Sequence, residues 1–485
     1  MMIDGKRVDA KDNATIQVLN SATQEFIDVV PAATNEDVLG AIAAAQEGKK
    51  VWGDTPQYKR SELLIKCADA IDQNLEALAR MLATEMGKII TEARAEVDCS
   101  AQIFRGFAEM ANHFYGQTMS EFQKGSETDI IFTRNEPLGV VACITPFNYP
   151  TELCYHKVAA ALSVGNAVII KPATDNPLTV MRIAELCLEA GVPGNVLQVV
   201  TGEGQRIGRL LATAEGIDKI SLTGSTEVGV EVATLAAKTL KRLALELGGN
   251  DPFIVFEDAD MNLAVAEAVA GRLKNAGQTC VAPKRFIVQN TVMNEFTEKI
   301  IRALKKIKLG SPLSEDTQLG SLISVKAAQK VLEQVRHAVA QGAKCVYGGN
   351  AYDQSYFEPT VLTGVTKDMD IAAGMEVFGP VFPMIGFDTF DEAIEIANNT
   401  PFGLQAGVMT KDSSRAIRAA SKIKAGAVII NGSGNYRNID QPFGGVKMSG
   451  MGREGVSCTL SEMTQPKSYV LKKILEGNED VFSTS

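Results

Sequence analysis

The sequence predicts an α/β protein with two successive wound sheets and a small β arm. Three observations carry that prediction. At 485 residues and 45% hydrophobic content, the chain is too long for one ordinary core. From residue 138 onward, short apolar runs alternate with segments of helical period, the pattern of a parallel sheet covered on both faces. After Pro252 the alternation starts again.

The elements follow in order. Residues 35–53 and 58–87 place apolar side chains at intervals of three and four, so the first hundred residues read as mostly helical, with Asn35 and Ser61 as N-caps. Residues 129–137 (DIIFTRNEP) and 464–473 (TQPKSYVLKK) are extended. Two isolated strands are marginal alone, so these segments are expected to form an arm whose edge pairs with another subunit. Between them run strand GVVACITP, a helix through HKVAAALSVG, strand NAVIIKP, helix LTVMRIAELCLEAG, strand VLQVVTG, helix QRIGRLLATA, and strands KISLTG and LALELGG. The second unit offers PFIVF, a helix from Met261, RFIVQ, a helix around FTEKIIRALKKI, then VLTGV, FPMIGF and GAVIING. The turn-rich cluster 248–252 divides the two. The expected division is 1–120 with 138–247, then 248–460, with 121–137 and 461–485 as the arm.

Composition excludes several classes. The charge of -10 is spread without long like-charge blocks, which argues against a nucleic-acid groove or an anionic membrane surface. No apolar stretch approaches a bilayer-spanning length, and residues 1–13 do not have the pattern of a signal or transit peptide, so a cytoplasmic protein is expected. Eight dispersed cysteines, none in CxxC spacing, fit reduced thiols. With three histidines and no HxxxH pair, a metal site is not expected.

Chemistry concentrates in a few segments. NAGQTC places Cys280 just beyond a helix in a small-residue turn, where a thiolate is accessible; the alternative is a buried small hydrophobe. LELGG places Glu246 in an apolar strand, where desolvation would raise its pKa and make it a base near neutral pH; otherwise it lies on a solvated face. In TPFNYP the Asn148 amide is a candidate donor to an oxyanion, with an Asx-turn as the alternative. TGEGQRIG and TGSTEVG each follow a strand and open a helix, as a helix-dipole phosphate site requires, although neither is a GxGxxG fingerprint.

Taken together, TPFNYP, KPATDNP, LTGSTEVG, LELGGNDP, NAGQTC, EVFGPV and PFGGVKMSGMGREG resemble the aldehyde dehydrogenase superfamily in order and spacing over nearly the whole chain. The chain looks like the hydrolytic NAD(P)-dependent branch, and most like the succinate-semialdehyde dehydrogenases. The resemblance implies a Rossmann-like cofactor domain, a catalytic α/β domain and an oligomerisation arm serving a homodimer or homotetramer. It implies Cys280 as nucleophile, Glu246 as general base, Asn148 with the Cys280 N–H as oxyanion donors, and Lys157 in a proton relay or paired with a carboxylate.

For the cofactor, the resemblance implies Phe147, Lys171, Thr174, Gly204, Gly224, Ser225, Leu247, Glu376 and Phe378. Many NAD-preferring members carry Glu at the position of Thr174; Thr removes a repulsion against a 2′-phosphate, so NADP is expected to be accepted alongside NAD. Succinate-semialdehyde enzymes place arginines where this chain has His156 and Lys274. A bidentate carboxylate fork is therefore missing, leaving Lys274 and Arg437 as the cations and Glu152 as their competitor. The expected substrate is a small aldehyde, a short semialdehyde first, with lactaldehyde, glycolaldehyde or a broad range of aldehydes as the alternative. A cofactor-independent Cys hydrolase would need a histidine base, for which no setting is apparent.

Overall fold

A computed structural model of the chain describes residues 1–120, 123–352 and 354–475. The first sheet runs in the order Lys6–Arg7, Met2–Ile3, Leu197–Val199, Ala167–Lys171, Val140–Ile144, Lys219–Thr223, Arg242–Glu246 and Gly450–Met451. Its five central strands are parallel and its outer ones antiparallel. The side-chain period of two divides the burial between two layers. Val141, Cys143, Val168 and Ile170 face helices Gln57–Gln73, Ile90–Ala111, Pro150–Ser163 and Leu178–Glu189. Val140, Ala142, Ile144 and Ile169 face helices Asn35–Asp54, Gly204–Thr213 and Thr226–Ala236.

From Val140–Ile144 the chain steps outward through two strands, then returns to add Lys219–Thr223 on the other side. Such a reversal opens a crevice at the carboxyl ends of the strands. Phe147 and Asn148 leave one lip and Gly224 and Ser225 the other.

The second sheet runs Lys344–Tyr347, Thr360–Val365, Val381–Phe387, Pro283–Gln289, Asp251–Val255, Gln405–Met409 and Ala427–Ile430. All its neighbours are parallel except the antiparallel first pair. Glu246 ends a strand of the first sheet and Asp251 begins one of the second, so the segment between them joins the two sheets at the crevice. The two extended segments pair with each other: Thr464–Leu471 runs antiparallel to Ile130–Pro137 over eight residues, with Thr118–Met119 on the far side. Phe132 stacks on Tyr469 with ring centroids 5.0 Å apart. Within the expected arm, residues 121, 122 and 476–485 lie outside the described residues.

Several local expectations are corrected. The first 31 residues hold four strands, at Met2–Ile3, Lys6–Arg7, Thr15–Leu19 and Phe26–Pro31, the first two of them only two residues long and the last two largely exposed. Thr34, not Asn35, caps the first helix: its hydroxyl accepts from the Asp37 N–H, and the Asp37 carboxylate accepts from the Thr34 N–H. Ser61 lies inside helix Gln57–Gln73, donating to the Ala108 carbonyl. Within the stretch 248–460, Gly450–Met451 pairs with Leu245 and Glu246, and Val456 and Leu460 are buried in the core of the first sheet.

Trp52, the one tryptophan of the sequence, is fully buried and donates from its indole N–H to the Leu162 carbonyl at 2.8 Å. Trp52→Ala is expected to lower stability by about 3–5 kcal/mol. Urea unfolding followed by far-UV circular dichroism checks this, and a loss under about 1 kcal/mol would show that the site collapses without cost.

Candidate active site

Cys280 is presented by an unusual piece of backbone. Helix Met261–Leu273 ends, and Asn275, Ala276 and Gly277 then take three consecutive left-handed conformations, with φ of 50°, 53° and 77°. Non-glycine residues there cost roughly 1–2 kcal/mol each, so hydrogen bonds must hold the turn. The Asn275 N–H donates to Glu92 Oε2 at 2.9 Å, and its side-chain amide donates to the Asn148 carbonyl at 2.9 Å. The Gln278 side chain accepts from the Ile323 N–H at 2.9 Å. A Cβ at Gly277 would lie 2.5 Å from the Gly379 carbonyl carbon.

The turn brings Cys280, Glu246 and Asn148 to the wall of one cavity. The Asn148 amide donates one hydrogen bond, to the Gln278 carbonyl at 3.0 Å, leaving its second N–H for another acceptor. Burial pushes the Cys280 thiol well above its usual range, and Glu246, Glu376 and Asp251 add to this while Lys284 opposes it. Burial, reinforced by the Glu454 carboxylate, pushes Glu246 up to about 8 against the pull of Lys157, Arg437 and Cys280. Neither Glu246 oxygen forms a regular hydrogen bond among the described residues.

Behind Glu246 lies an ion cluster. Lys157, only 1% exposed, pairs with Glu454 Oε1, while Arg437 Nη2 reaches Glu454 Oε2 at 2.9 Å and Arg437 Nη1 lies 3.8 Å from Glu152. Burial raises the Glu454 pKa, but Lys157 and Arg437 outweigh it and hold the carboxyl well below the usual range. His156 packs edge-on against Phe107, and burial pushes it down to about 3, so it is neutral. A cavity of about 20 Å³ lies among His156, Lys157, Glu246 and Glu454, room for one water. Glu454 is missing from the sequence expectation because only the fold brings the GMGREG segment beside Lys157.

The larger cavity, about 920 Å³, runs from Cys280 along the crevice to Lys171 and Thr174. Phe147 and Phe378 meet edge-to-face with centroids 5.9 Å apart. Ser225 caps helix Thr226–Ala236, and Gly204 opens helix Gly204–Thr213 opposite Lys171. The Thr223 hydroxyl and the Gln334 carbonyl oxygen, both on this wall, have no partner among the described residues. A Cβ at Gly248 would meet Glu376 Oε2 at 2.5 Å, and one at Gly229 would meet Leu247 at 2.4 Å, so these glycines let those side chains settle at the wall. Glu376 accepts from the Gly249 N–H at 3.0 Å. An elongated phosphate-bearing dinucleotide fits these features: two helix N-termini, an aromatic pair and a carboxylate in a row.

Toward Lys171 the walls are mixed in charge. Burial pushes the Lys171 ammonium down to about 8, with Asp175 pulling the other way. Lys171 donates to Thr174 Oγ1 at 3.3 Å, and the Thr174 hydroxyl donates to the Gly202 carbonyl at 3.0 Å. Its proton is therefore already engaged. Arg209, not expected from the sequence, lines the same end and is paired with Glu231. Lys274 is exposed, 5.8 Å from the Tyr149 ring centroid, at the rim of the turn.

The chain belongs to the aldehyde dehydrogenase family, whose model matches residues 8–469. It is 40% identical over 465 residues to the glutarate-semialdehyde dehydrogenase of Pseudomonas putida, covering 96% of each chain. It is 37% identical over 475 residues to the lactaldehyde dehydrogenase of Methanococcus vannielii, covering 97% of this chain and 99% of that one. Among solved structures it resembles an NADP-dependent enzyme of E. coli, with a TM-score of 0.94 at 36% identity and 97% of both chains covered.

Two outcomes follow from this geometry. Gly277→Ala should lose roughly 1–3 kcal/mol of stability and slow alkylation of Cys280, read by thermal unfolding and iodoacetamide labelling; unchanged labelling would show that the turn tolerates a Cβ. Glu454→Gln, which strips Lys157 of its carboxylate, should cost about 3–5 kcal/mol in chemical denaturation, far above the value of a surface pair.

Proposed function

We propose that this protein oxidises a short aldehyde to its carboxylic acid with NAD(P)+, Cys280 being the nucleophile and Glu246 the hydrolytic base. The observation that carries the reading is the meeting of Cys280, Glu246 and Asn148 at one end of a cavity whose other end fits a dinucleotide. The Cys280 thiolate adds to the aldehyde carbon, giving a thiohemiacetal. The free N–H of Asn148 and the Cys280 backbone N–H stabilise its oxyanion. Phe147, Lys171, Gly204, Gly224, Ser225, Leu247, Glu376 and Phe378 would hold NAD(P)+, which would supply the acceptor for the hydride whose loss leaves a thioester on Cys280. Glu246 then takes a proton from water as that water attacks the thioester, and the acid leaves with the thiol restored. The Lys157–Glu454 pair and the small cavity beside it carry the proton away from Glu246.

For the cofactor, the reading is that NADP is accepted alongside NAD: residue 174 carries no carboxylate, and Lys171 and Arg209 stand at that end of the cavity. The engaged Thr174 proton and the nearby Asp175 and Glu231 keep the preference modest. For the substrate, a short semialdehyde such as succinic semialdehyde comes first, with Arg437 and Lys274 as its cations. A hydroxy-aldehyde is the second reading, favoured by the commitment of Arg437 to Glu454 and Glu152. The names of the two relatives described above span both. The paired strands Ile130–Pro137 and Thr464–Leu471 serve a homodimer or homotetramer, their exposed outer edge fitting a second copy.

The test is the initial rate of reduced-cofactor formation with succinic semialdehyde, lactaldehyde, glycolaldehyde and a neutral aliphatic aldehyde, each with NAD+ and NADP+. Cys280→Ala should abolish it. Glu246→Gln should slow steady-state turnover by about 10²–10⁴-fold while leaving one turnover per site; full turnover in that variant would refute the base. Because the base acts as a carboxylate and Glu246 is pushed up to about 8, hydrolysis should rise about tenfold per unit as pH approaches 8, then level off. A pH-independent rate from 6 to 9 would contradict the assignment.

A further inference from the structure

Lys284 takes no part in the reaction as proposed above. It is the second residue of strand Pro283–Gln289, four residues after Cys280. The pleat sends its neighbour Arg285 the other way, where that guanidinium donates to the Asn250, Ile396 and Ala397 carbonyls. Lys284 itself is 1% exposed and points at the nucleophile turn. Its ammonium donates to the Thr279 carbonyl at 2.9 Å and to the Cys280 carbonyl at 2.5 Å, and lies 3.2 Å from Glu376 Oε1. Two of its three donors are engaged by carbonyls, and the carboxylate stands within ion-pair distance.

A buried ammonium is costly to place, and two carbonyls alone would be served by a neutral amide. What calls for a charge is the surroundings of Cys280. Three carboxylates act on the thiol: Glu246 from strand Arg242–Glu246, Asp251 from strand Asp251–Val255, and Glu376 from the segment before strand Val381–Phe387. Lys284 is the cation that opposes them there. Glu376 is at once the carboxylate nearest the ammonium and one of the residues assigned above to the cofactor.

We propose that Lys284 is a positioning residue that fixes the Cys280 turn and favours the Cys280 thiolate, and that Glu376, by sharing its ammonium, links thiol ionisation to the cofactor side of the cavity. Drawing Glu376 toward a bound cofactor leaves more of the Lys284 charge for the thiol. The proposal rests on the reading of Cys280 as nucleophile and Glu376 as a cofactor ligand.

The test is the pH profile of Cys280 alkylation by iodoacetamide in the full-length protein, quantified on the Cys280 peptide by mass spectrometry. Lys284→Gln should move the apparent thiol pKa up by about one unit, making alkylation at neutral pH about tenfold slower. Lys284→Arg, which keeps the charge, should stay within about threefold of the original rate. Glu376→Gln should speed alkylation, and by more when Lys284 is present than in the Lys284→Gln background. An unchanged profile in Lys284→Gln, or an equal gain from Glu376→Gln in both backgrounds, would overturn the proposal. If Lys284→Gln does not fold, Glu376→Gln alone decides, since an unchanged or slower rate contradicts a charge shared with Lys284. Labelling needs no turnover, so these outcomes stay separate from the nucleophile assignment, which fails only if Cys280→Ala keeps forming reduced cofactor.

Discussion

Two groups that both tend to negative charge, the Cys280 thiol and the Glu246 carboxyl, share one cavity, and burial of both, together with the repulsion of a thiolate by the Glu246 carboxylate, governs what surrounds them. Water cannot screen them, so the fold flanks them with cations. Lys157 and Arg437 stand on the Glu246 side, tied to Glu454; Lys284 stands on the Cys280 side, tied to Glu376. The repulsion suits a reaction in two halves. While sulfur must be a thiolate, a protonated Glu246 does no harm. Once sulfur is acylated and neutral, it adds no charge against the carboxylate that the proposed hydrolysis needs, and only burial and Glu454 still oppose it. A pair that resists carrying both charges at once is thus matched to chemistry that never demands both.

The same pressure explains the backbone. A nucleophile set in a regular helix or strand would offer its flank to neighbours, whereas three successive left-handed residues turn the chain sharply ahead of Cys280. Such a turn persists only if over-determined. Glu92 on helix Ile90–Ala111 holds the Asn275 N–H, and the Asn275 side chain holds the Asn148 carbonyl. Asn148 and the Cys280 turn are therefore one hydrogen-bonded body, and the helix that supports it belongs to the first sheet's layer.

The wound sheets were legible because buried parallel strands are short apolar runs and their helices keep a clear period. The motif segments were legible as well: Cys280, Glu246, Asn148, Phe147, Thr174, Gly224, Ser225, Glu376 and Phe378 line one cavity. What escaped was contact between distant segments. Glu454 lies 297 residues from Lys157, and Gly450–Met451 joins antiparallel to a sheet whose parallel strands end, in chain order, at Glu246. The two-residue N-terminal strands carry no measurable period, and the Thr34 cap shows that a hydroxyl one residue earlier wins when Asp37 completes the reciprocal pair. Lys284 gave no signal because a lysine in a strand ordinarily reads as solvent-facing. Its role depends on three acceptors that only the fold assembles.

Shared cations also bear on substrate choice. Arg437 is held by Glu454 and approached by Glu152, so an incoming carboxylate must compete with a carboxylate already there. Lys274 is at the rim in water, where an ion pair contributes only about 0.2–1 kcal/mol, at most roughly a fivefold preference. Selectivity for an anionic aldehyde over a hydroxylated one of similar size must then come from moving Glu152 off Arg437, not from Lys274. Glu152 sits one helical turn beyond Asn148, on the helix whose N-terminal turn Glu96 fastens through the Thr151 N–H and hydroxyl. If Arg437 meets the far end of the substrate as proposed, its guanidinium is shared with Glu454 and Glu152, which narrows the advantage of a carboxylate over a hydroxyl.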